Sequence, residues 1–245
     1  MTRTPTDVAH AVAEVFRGVF DQLAEWREPI RSLLGAGGEV RAQTLDTVVA
    51  DLVIPRLEEA DPMLVGAGFI ADGEVVRGRG VHFAWWLGPL DDNPVLGSTT
   101  EPTRLDLSTR GYTEYLRDFR ALEWYRIPAT TRHAHVTGPY VDHLCTCDYI
   151  LTLTMPVHDR DEERMVGVIG ADVAVRRLEH ALLAAFLEVD APLALVNQDG
   201  RVVLSTDPGL QVGQLAEAGS SSVDVEGTPF AVRVGSVPSG SSSKI

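Results

Sequence analysis

The chain has 245 residues, of which 44% are hydrophobic, so it is long enough to form one large domain or two small ones with a real core. This composition excludes a disordered tail or linker. Acidic residues outnumber basic residues by 35 to 21, and the formal net charge of -14 disfavours nucleic acid and anionic membrane surfaces as partners.

Two helices are predicted within the first 60 residues. Apolar residues recur at helical spacing from Val8 to Leu23, with Thr6 as the candidate N-cap. We expect this helix to break between Pro29 and Gly38, where glycines supply turn residues. A second helical pattern continues to about Glu59 despite Pro55.

The first helix presents a wide apolar face that includes Phe16, Phe20 and Trp26. This face exceeds what a small sheet must cover, so a helix-mediated homodimer is one interpretation. Packing of the same face against the second helix of the same chain is the other interpretation.

From Met63 the apolar residues alternate with a period of two, which predicts a hairpin with its turn at Asp72-Gly73. Residues 81–109 are rich in Gly, Pro, Asp and Thr but include Trp85 and Trp86, so we expect a long, ordered excursion that walls a pocket. A short helix is predicted over residues 113–125.

Three strands follow, in the segments HAHVTGPYV, YILTLTMPVH and MVGVIGADVAV, and a helix is predicted over residues 176–188. A strand, an Asp-Gly turn and a second strand then follow, the same order as in the hairpin predicted after Met63. The predicted fold class is α+β, with the N-terminal helices packed on an antiparallel sheet that spans about 63–175. The predicted divisions are an N-terminal helical segment at 1–60, a main lobe at 61–189, a smaller second lobe at 190–238 and a disordered tail at 239–245.

Four short segments, in this order and spacing, carry a resemblance to a known family. They are Trp124-Tyr125, the run GPYVD at 138–142, the strand ILTLTMPV, and GVIGADVAV with Asp172. Together they resemble the Cache domain, a PAS-like module that senses small ligands in bacterial chemoreceptors and sensor kinases. The resemblance covers roughly residues 60–180 and implies the double-Cache layout, in which a smaller PAS-like lobe follows the first.

The resemblance also implies a ligand pocket, which in the family is lined by the Trp-Tyr pair, by the PY element and by the late Asp. In this chain these residues are Trp124, Tyr125, Tyr140, Asp142 and Asp172. Aromatic rings and hydroxyl groups around a buried carboxylate suit an ammonium group. Trp85 or Trp86 is expected to close the pocket, and Tyr115 of the predicted short helix completes the candidate set.

One position departs from the amino-acid-binding members that this chain resembles. Those members have an Arg two residues before the Trp, which grips the ligand carboxylate, and this chain has Leu122 there. Arg120 and Arg126 would point in other directions on a helix. The departure predicts a soluble Cache-type sensor or binding protein for an amine or quaternary ammonium compound, with an amino-acid or carboxylate sensor as the alternative.

A cluster of potential zinc ligands leaves a second alternative open, a metal-dependent enzyme. Its members are His133, His135, His143, Cys145 and Cys147. The first two histidines lie two apart on a predicted strand, but neither HxH nor CxC is a usual spacing of structural zinc sites. We therefore predict no metal and no cofactor. Because the chain has no nucleophile elbow, P-loop, dinucleotide-binding glycine pattern or HExxH, we predict a binding module rather than an enzyme.

No run approaches 18 consecutive apolar residues, and the N-terminus lacks the pattern of a signal peptide. We therefore expect a cytoplasmic location and no membrane partner. A ligand-binding module of this kind is expected to act through an unknown signalling partner protein. A structural interaction module with a collapsed pocket is the remaining alternative.

Overall fold

The computed structural model describes most of the chain, and for residues 91–93 and 115–117 it describes the backbone alone. The described residues are 3–35, 39–93, 97–105, 115–142, 146, 148–161, 163–217 and 221–235. They form two compact units, one of residues 17–177 and one of residues 1–16 together with 178–245. The predicted boundaries at 60/61 and 189/190 follow changes of secondary structure instead, and the predicted tail at 239–245 lies outside the described residues. None of the helices within the described ranges has the length and apolar composition needed to cross a membrane.

The N-terminal segment forms α1, Pro5–Leu34, and α2, Ala42–Leu57. The N-cap is Thr4 rather than the predicted Thr6, because the Asp7 N–H donates to Thr4 Oγ1 at 3.2 Å and the Thr4 N–H donates to the Asp7 carboxylate at 2.8 Å. The predicted break between Pro29 and Gly38 is confirmed, since α1 continues through Pro29 and ends at Leu34. Burial of Ile30, which is fully inaccessible to solvent, offsets the lost backbone hydrogen bond.

The apolar face of α1 is largely covered within the single chain. Phe16 and Trp26 are 1% and 3% exposed, and Phe16 stacks on Phe230 with ring centroids 5.4 Å apart. Phe20 is half-buried. The surplus of apolar surface that motivated the homodimer is therefore mostly absent, and the homodimer stays a prediction without that support.

A six-stranded sheet forms the centre of the unit that comprises residues 17–177. Its strands are β1 Leu64–Val76, β2 Arg79–Leu87, β5 Thr103–Arg104, β6 His135–Val141, β7 Tyr149–His158 and β8 Met165–Ala174. Their order is β5-β2-β1-β8-β7-β6, and all neighbours are antiparallel. The three strands predicted from residue 133 onward are confirmed as β6, β7 and β8.

The first hairpin turns later than the sequence predicts. β1 continues through Asp72-Gly73, where the pairing register shifts, and the chain turns at Arg77-Gly78. Gly78 has a φ of +69°, which a glycine adopts without strain. β2 then runs to Leu87, so Trp85 and Trp86 lie in a central strand and the excursion begins only after them. Its first elements are β3, Leu90–Asn93, and β4, Gly97–Thr99.

The helix predicted over 113–125 is two elements, a 3-10 helix at Tyr115–Ala121 and α3 at Glu123–Thr131. Leu122 between them has extended backbone angles, φ −68° and ψ 142°, which interrupt the helical path. Trp124 and Tyr125 therefore lie at the beginning of a helix rather than at its end.

The other unit carries a separate, smaller sheet. After α4, Val175–Leu187, come β9 Leu193–Val196, β10 Val202–Ser205, β11 Ser221–Asp224 and β12 Ala231–Val234. The strand order is β10-β9-β12-β11, again antiparallel. The predicted helix at 176–188, the strand–turn–strand repeat and the α+β fold class are confirmed.

Candidate functional site

The two faces of the six-stranded sheet have different coverings. On one face, His82 of β2 reaches Asp46 of α2, with Nε2 and Oδ1 2.7 Å apart, and the Arg104 guanidinium lies 6.0 Å from the Trp86 ring. On the other face, the Thr154 hydroxyl donates to the carbonyl oxygen of Trp124 at 2.7 Å, which holds the start of α3 against β7. The candidate site lies on this second face.

The strand register aligns polar side chains across this face. Thr137 of β6 is opposite Thr152 of β7, Thr152 is opposite Asp172 of β8, and Asp172 is opposite Gly66 of β1. Directly opposite residues of antiparallel strands project to the same face, so these residues form one cross-strand row. We call Thr137, Thr152 and Asp172 the polar row.

Asp172 is the most unusual group in the polar row because it is a carboxyl group in the core, only 7% exposed. Thr152 Oγ1 donates to its Oδ1 at 2.6 Å. The Tyr140 hydroxyl lies 2.5 Å from Thr152 Oγ1. Because Thr152 uses its own proton to donate to Asp172, Tyr140 is the donor and Thr152 Oγ1 the acceptor in this second hydrogen bond. Burial, and after it the nearby Asp142 carboxylate, raises the pKa of Asp172 to about 8.

Glycines beside Asp172 leave room for the indole of Trp85. A Cβ atom on Gly66 would lie 3.0 Å from Trp85 Nε1 and 3.4 Å from Asp172 Oδ2, so the indole N–H and the carboxylate border the same small volume. A Cβ on Gly170 would lie 3.4 Å from Trp85 Cη2. The indole therefore extends along the glycine positions of β1 and β8, and within the described ranges no group accepts a hydrogen bond from its Nε1.

Aromatic residues from the 3-10 helix and α3 cover the indole. Phe119 stacks on Trp124 with ring centroids 6.2 Å apart, and its contact with Tyr125 is edge-on at 4.9 Å. Phe119 and Tyr125 share an apolar cluster with Trp85, and Leu122 and Trp124 pack against that cluster. The result is an aromatic wall next to a buried carboxyl group.

Asp72 holds this wall in position from the irregular part of β1. Its carboxylate accepts hydrogen bonds from the Tyr125 hydroxyl and from Arg120, whose Nε lies 2.9 Å from Oδ2. The Gly73 N–H donates to Oδ1 at 2.8 Å. These donors outweigh burial and lower the pKa of Asp72, while burial and the Asp72 carboxylate raise the pKa of Tyr125.

Removal of the Asp72 carboxylate is expected to destabilise the domain by about 1–3 kcal/mol, because the hydroxyl of the buried Tyr125 side chain would lose its acceptor. Urea denaturation of Asp72→Ala measures this loss. Glu74→Ala, an exposed change on the same strand, is the matched control and is expected to stay within about 0.5 kcal/mol of wild type. Equal midpoints for Asp72→Ala and wild type would contradict the positioning role.

The part of the chain that carries most of the site is similar to a known protein family. Residues 83–180 match the family described as methyl-accepting chemotaxis protein-like, first PDC sensor domain. This part of the chain is similar to a PDC sensor domain of the Cache type. The matched range includes every member of the polar row, and it confirms the resemblance noted in the sequence. A search of curated proteins found no match.

Solved structures with the same fold include PDC domains of bacterial chemoreceptors. One is the ligand-binding domain of the Pseudomonas aeruginosa PAO1 amino acid chemoreceptor PctC in complex with GABA, at 20% identity, a TM-score of 0.58, and 95% and 97% coverage of this chain and that chain. Another is the ligand-binding domain of PctB from the same organism in complex with L-Arg. It is 12% identical, with a TM-score of 0.59, and the match covers 98% of this chain and 95% of that chain. A third is the ligand-binding domain of Pseudomonas fluorescens CtaA in complex with L-valine. It is 16% identical, with a TM-score of 0.55, and the match covers 94% of this chain and 92% of that chain. These are sensor domains rather than enzymes.

The structure brings several predicted site residues together on one face of the six-stranded sheet. Asp172 and Trp85 border Gly66, the Tyr140 hydroxyl contacts Thr152 of the polar row, and Trp124 and Tyr125 belong to the wall. Trp86 was predicted as an alternative to Trp85 for closing the pocket. Neighbouring strand residues face opposite ways, so Trp86 lies on the α2 face and only Trp85 is on the site face.

Two other predicted site residues, Asp142 and Tyr115, are not shown in contact with the polar row. Asp142 is buried but accepts hydrogen bonds from the N–H and hydroxyl of Thr146, at 2.9 and 3.2 Å, so it closes its own turn while adding negative potential at Asp172. Tyr115 begins the 3-10 helix, and its side chain lies outside the described residues.

The proposed zinc ligands are only partly described. His143, Cys145 and Cys147 fall outside the described residues. His133 precedes β6 instead of lying on it, and its Nδ1 is 2.6 Å from the Thr131 carbonyl oxygen. His135 Nε2 is 2.8 Å from Glu123 Oε1. No group of metal-ligating side chains is found among the residues that the structure does describe.

Sequence reasoning missed Thr137 and Thr152 as members of the site. A signal for Thr152 was present, because the strand ILTLTMPV places threonines at every second position of an otherwise apolar segment. A polar side chain repeated with period two on a buried strand marks one face, and the register then aligns Thr152 with Asp172.

Proposed function

We propose that this PDC domain senses a small organic cation, an amine or quaternary ammonium compound, whose ammonium group lies against Asp172. The observation that carries the proposal is a buried carboxyl group with one hydrogen-bond donor and no ion-pair partner in the described part of the chain. An isolated buried carboxylate is costly, and a ligand cation supplies the missing charge.

The surroundings of Asp172 suit the rest of such a ligand. The indole of Trp85 and the ring of Trp124 offer aromatic faces to alkyl groups or to a quaternary ammonium, which binds to ring faces without donating hydrogen bonds. The Asp142 carboxylate adds negative potential close to Asp172. The electrostatic potential at the polar row therefore favours cations over anions.

A carboxylate on the ligand would find no positively charged side chain at the position where the amino-acid-binding family members have Arg. Leu122 packs there against the apolar cluster. Arg120 is paired with Asp72, and Arg126 is exposed on α3. These placements support a ligand with an ammonium group and no carboxylate.

An amino acid is the second candidate, because the similar structures of PctC, PctB and CtaA contain GABA, L-Arg and L-valine. Those proteins are 12–20% identical to this chain. At that identity a shared fold does not carry ligand specificity with it.

Calorimetric titration with matched pairs, each an amino acid and the amine formed by its decarboxylation, separates the two candidates. We expect the wild-type domain to bind the amine of a pair more tightly. Leu122→Arg should raise affinity for the amino acid relative to its amine by about tenfold, the equivalent of a charge-assisted hydrogen bond. Leu122→Met is the uncharged control, and tight binding of amino acids alone by wild type would contradict the amine proposal.

The same proposal includes a partner protein, to which the domain passes the signal that a ligand has bound. It rests on the PDC family, whose members include chemoreceptor and histidine kinase sensor domains. The cytoplasmic location predicted from the N-terminal sequence stays a prediction. A pull-down with and without a bound amine identifies a partner whose binding changes with the ligand.

A further inference from the structure

Thr137 has a buried hydroxyl group that forms no hydrogen bond within the described part of the chain. The residue is 7% exposed, and its Oγ1 is inaccessible to solvent and has no hydrogen-bond partner among the residues that the structure describes. A buried hydroxyl without a partner destabilises a folded protein, and a valine would fill the same volume without that cost. The hydroxyl therefore lowers the free energy of unfolding of the ligand-free domain.

The position of Thr137 connects this hydroxyl with the ligand site. Thr137 is directly opposite Thr152, on the face that carries the polar row. The Thr152 hydroxyl is already engaged, since it donates to Asp172 and lies within hydrogen-bond distance of Tyr140. Thr137 is thus the member of the polar row whose hydrogen-bonding capacity is still open.

We infer that Thr137 is a ligand-binding residue and that the ligand carries a second hydrogen-bonding group, such as a hydroxyl, at the end away from its ammonium group. This inference rests on the proposed function, because it takes Asp172 as the site of the ammonium. Thr137 and Asp172 lie two strands apart, a separation of roughly 10 Å between their backbones. A ligand that extends across β7 between them is a short chain with a polar group at each end.

Amino alcohols are the probes that test this inference. Each of 3-amino-1-propanol, 4-amino-1-butanol and 5-amino-1-pentanol is titrated beside the alkylamine that has a methyl group in place of the hydroxyl. The pairs differ only in the second hydrogen-bonding group. We expect wild type to bind at least one amino alcohol about fivefold more tightly than its partner amine, the equivalent of one net hydrogen bond.

Thr137→Val removes the hydroxyl with little change of shape, and Thr137→Ser retains it. The valine variant is expected to bind both members of each pair equally, whereas the serine variant keeps the preference. Without ligand, the valine variant is expected to unfold at a higher urea concentration than wild type. A residue with a purely structural role would not lower affinity for one member of a pair while raising stability.

The outcomes separate this inference from the function on which it rests. If wild type binds amines in a manner that depends on Asp172 but shows no preference for any amino alcohol, the role of Thr137 is overturned and the amine site stands. A preference that survives in Thr137→Val also overturns it. If no amine or amino alcohol binds wild type, both proposals are overturned together.

Discussion

Asp172→Asn is expected to weaken amine binding by about 1.5–3 kcal/mol and, at the same time, to stabilise the ligand-free domain. The loss of affinity follows because an amide carries no charge to pair with the ligand ammonium. The gain in stability follows because the folded domain would no longer hold a buried ionisable group. A variant that moves affinity and stability in opposite directions is typical of a site residue that is strained without its ligand.

The stabilising effect of Asp172→Asn should depend on pH. The folded pKa of about 8 lies above the ordinary value of 3.8, so between these values the folded domain holds a proton that the unfolded chain has released. The free energy of unfolding of wild type therefore falls as pH rises through this window, by up to roughly 1.4 kcal/mol per unit, and the loss is complete above pH 8. The asparagine variant lacks this contribution.

Urea denaturation of ligand-free wild type and Asp172→Asn at pH 5, 7 and 9 measures the difference. Other groups, such as Asp72 and His82, titrate in both proteins, so the difference between the two isolates Asp172. Asp61→Asn, an exposed substitution in the same unit, is the control for the change of side chain and should stay within about 0.5 kcal/mol of wild type. A constant difference between wild type and Asp172→Asn from pH 5 to 9 would show that Asp172 is already ionised in the free domain.

Amine affinity is expected to rise with pH, by up to about tenfold per unit from pH 6 and levelling off above pH 8. Below pH 8 the ligand ammonium must displace a proton from Asp172, and each unit of pH lowers the cost of that displacement by about 1.4 kcal/mol. A quaternary ammonium ligand is the sharpest probe because it does not titrate. Calorimetric titrations at pH 6, 7, 8 and 9 measure the slope.

Asp172→Asn is the control for this slope, since its residual affinity should be the same at every pH in the series. An affinity of wild type that does not change between pH 6 and 9 would mean that no proton is displaced. An amine site elsewhere in the domain would then have to be sought.

Much of the main sheet could be predicted because its strands carry local signals. The segments YILTLTMPVH and MVGVIGADVAV are β-branched and apolar, and the charged turn between them fixes their pairing. Asp172 was also recognisable, because an aspartate in such a strand needs a polar partner or a cavity. The family resemblance then connected it with Tyr140 and Trp124.

The errors arose where tertiary contacts override local sequence. Asp72-Gly73 is a strong turn signal, but the Asp72 carboxylate is held by Tyr125 and Arg120, and the strand continues past it. The end of α1 at Leu34 falls within the predicted range, but burial of Trp26 and Ile30 on either side of Pro29 carries the helix past the proline. Thr137 carries no signal in sequence, because only the register places it beside Thr152.

The central claim is that a ligand cation replaces a proton on Asp172. It is tested most directly by the number of protons released when a quaternary ammonium compound binds at pH 7, from calorimetry in two buffers with different ionisation enthalpies. Because Asp172 titrates near pH 8 in the free domain and is ionised in the complex, we predict the release of close to one proton per ligand bound. Binding with no proton release would contradict the account.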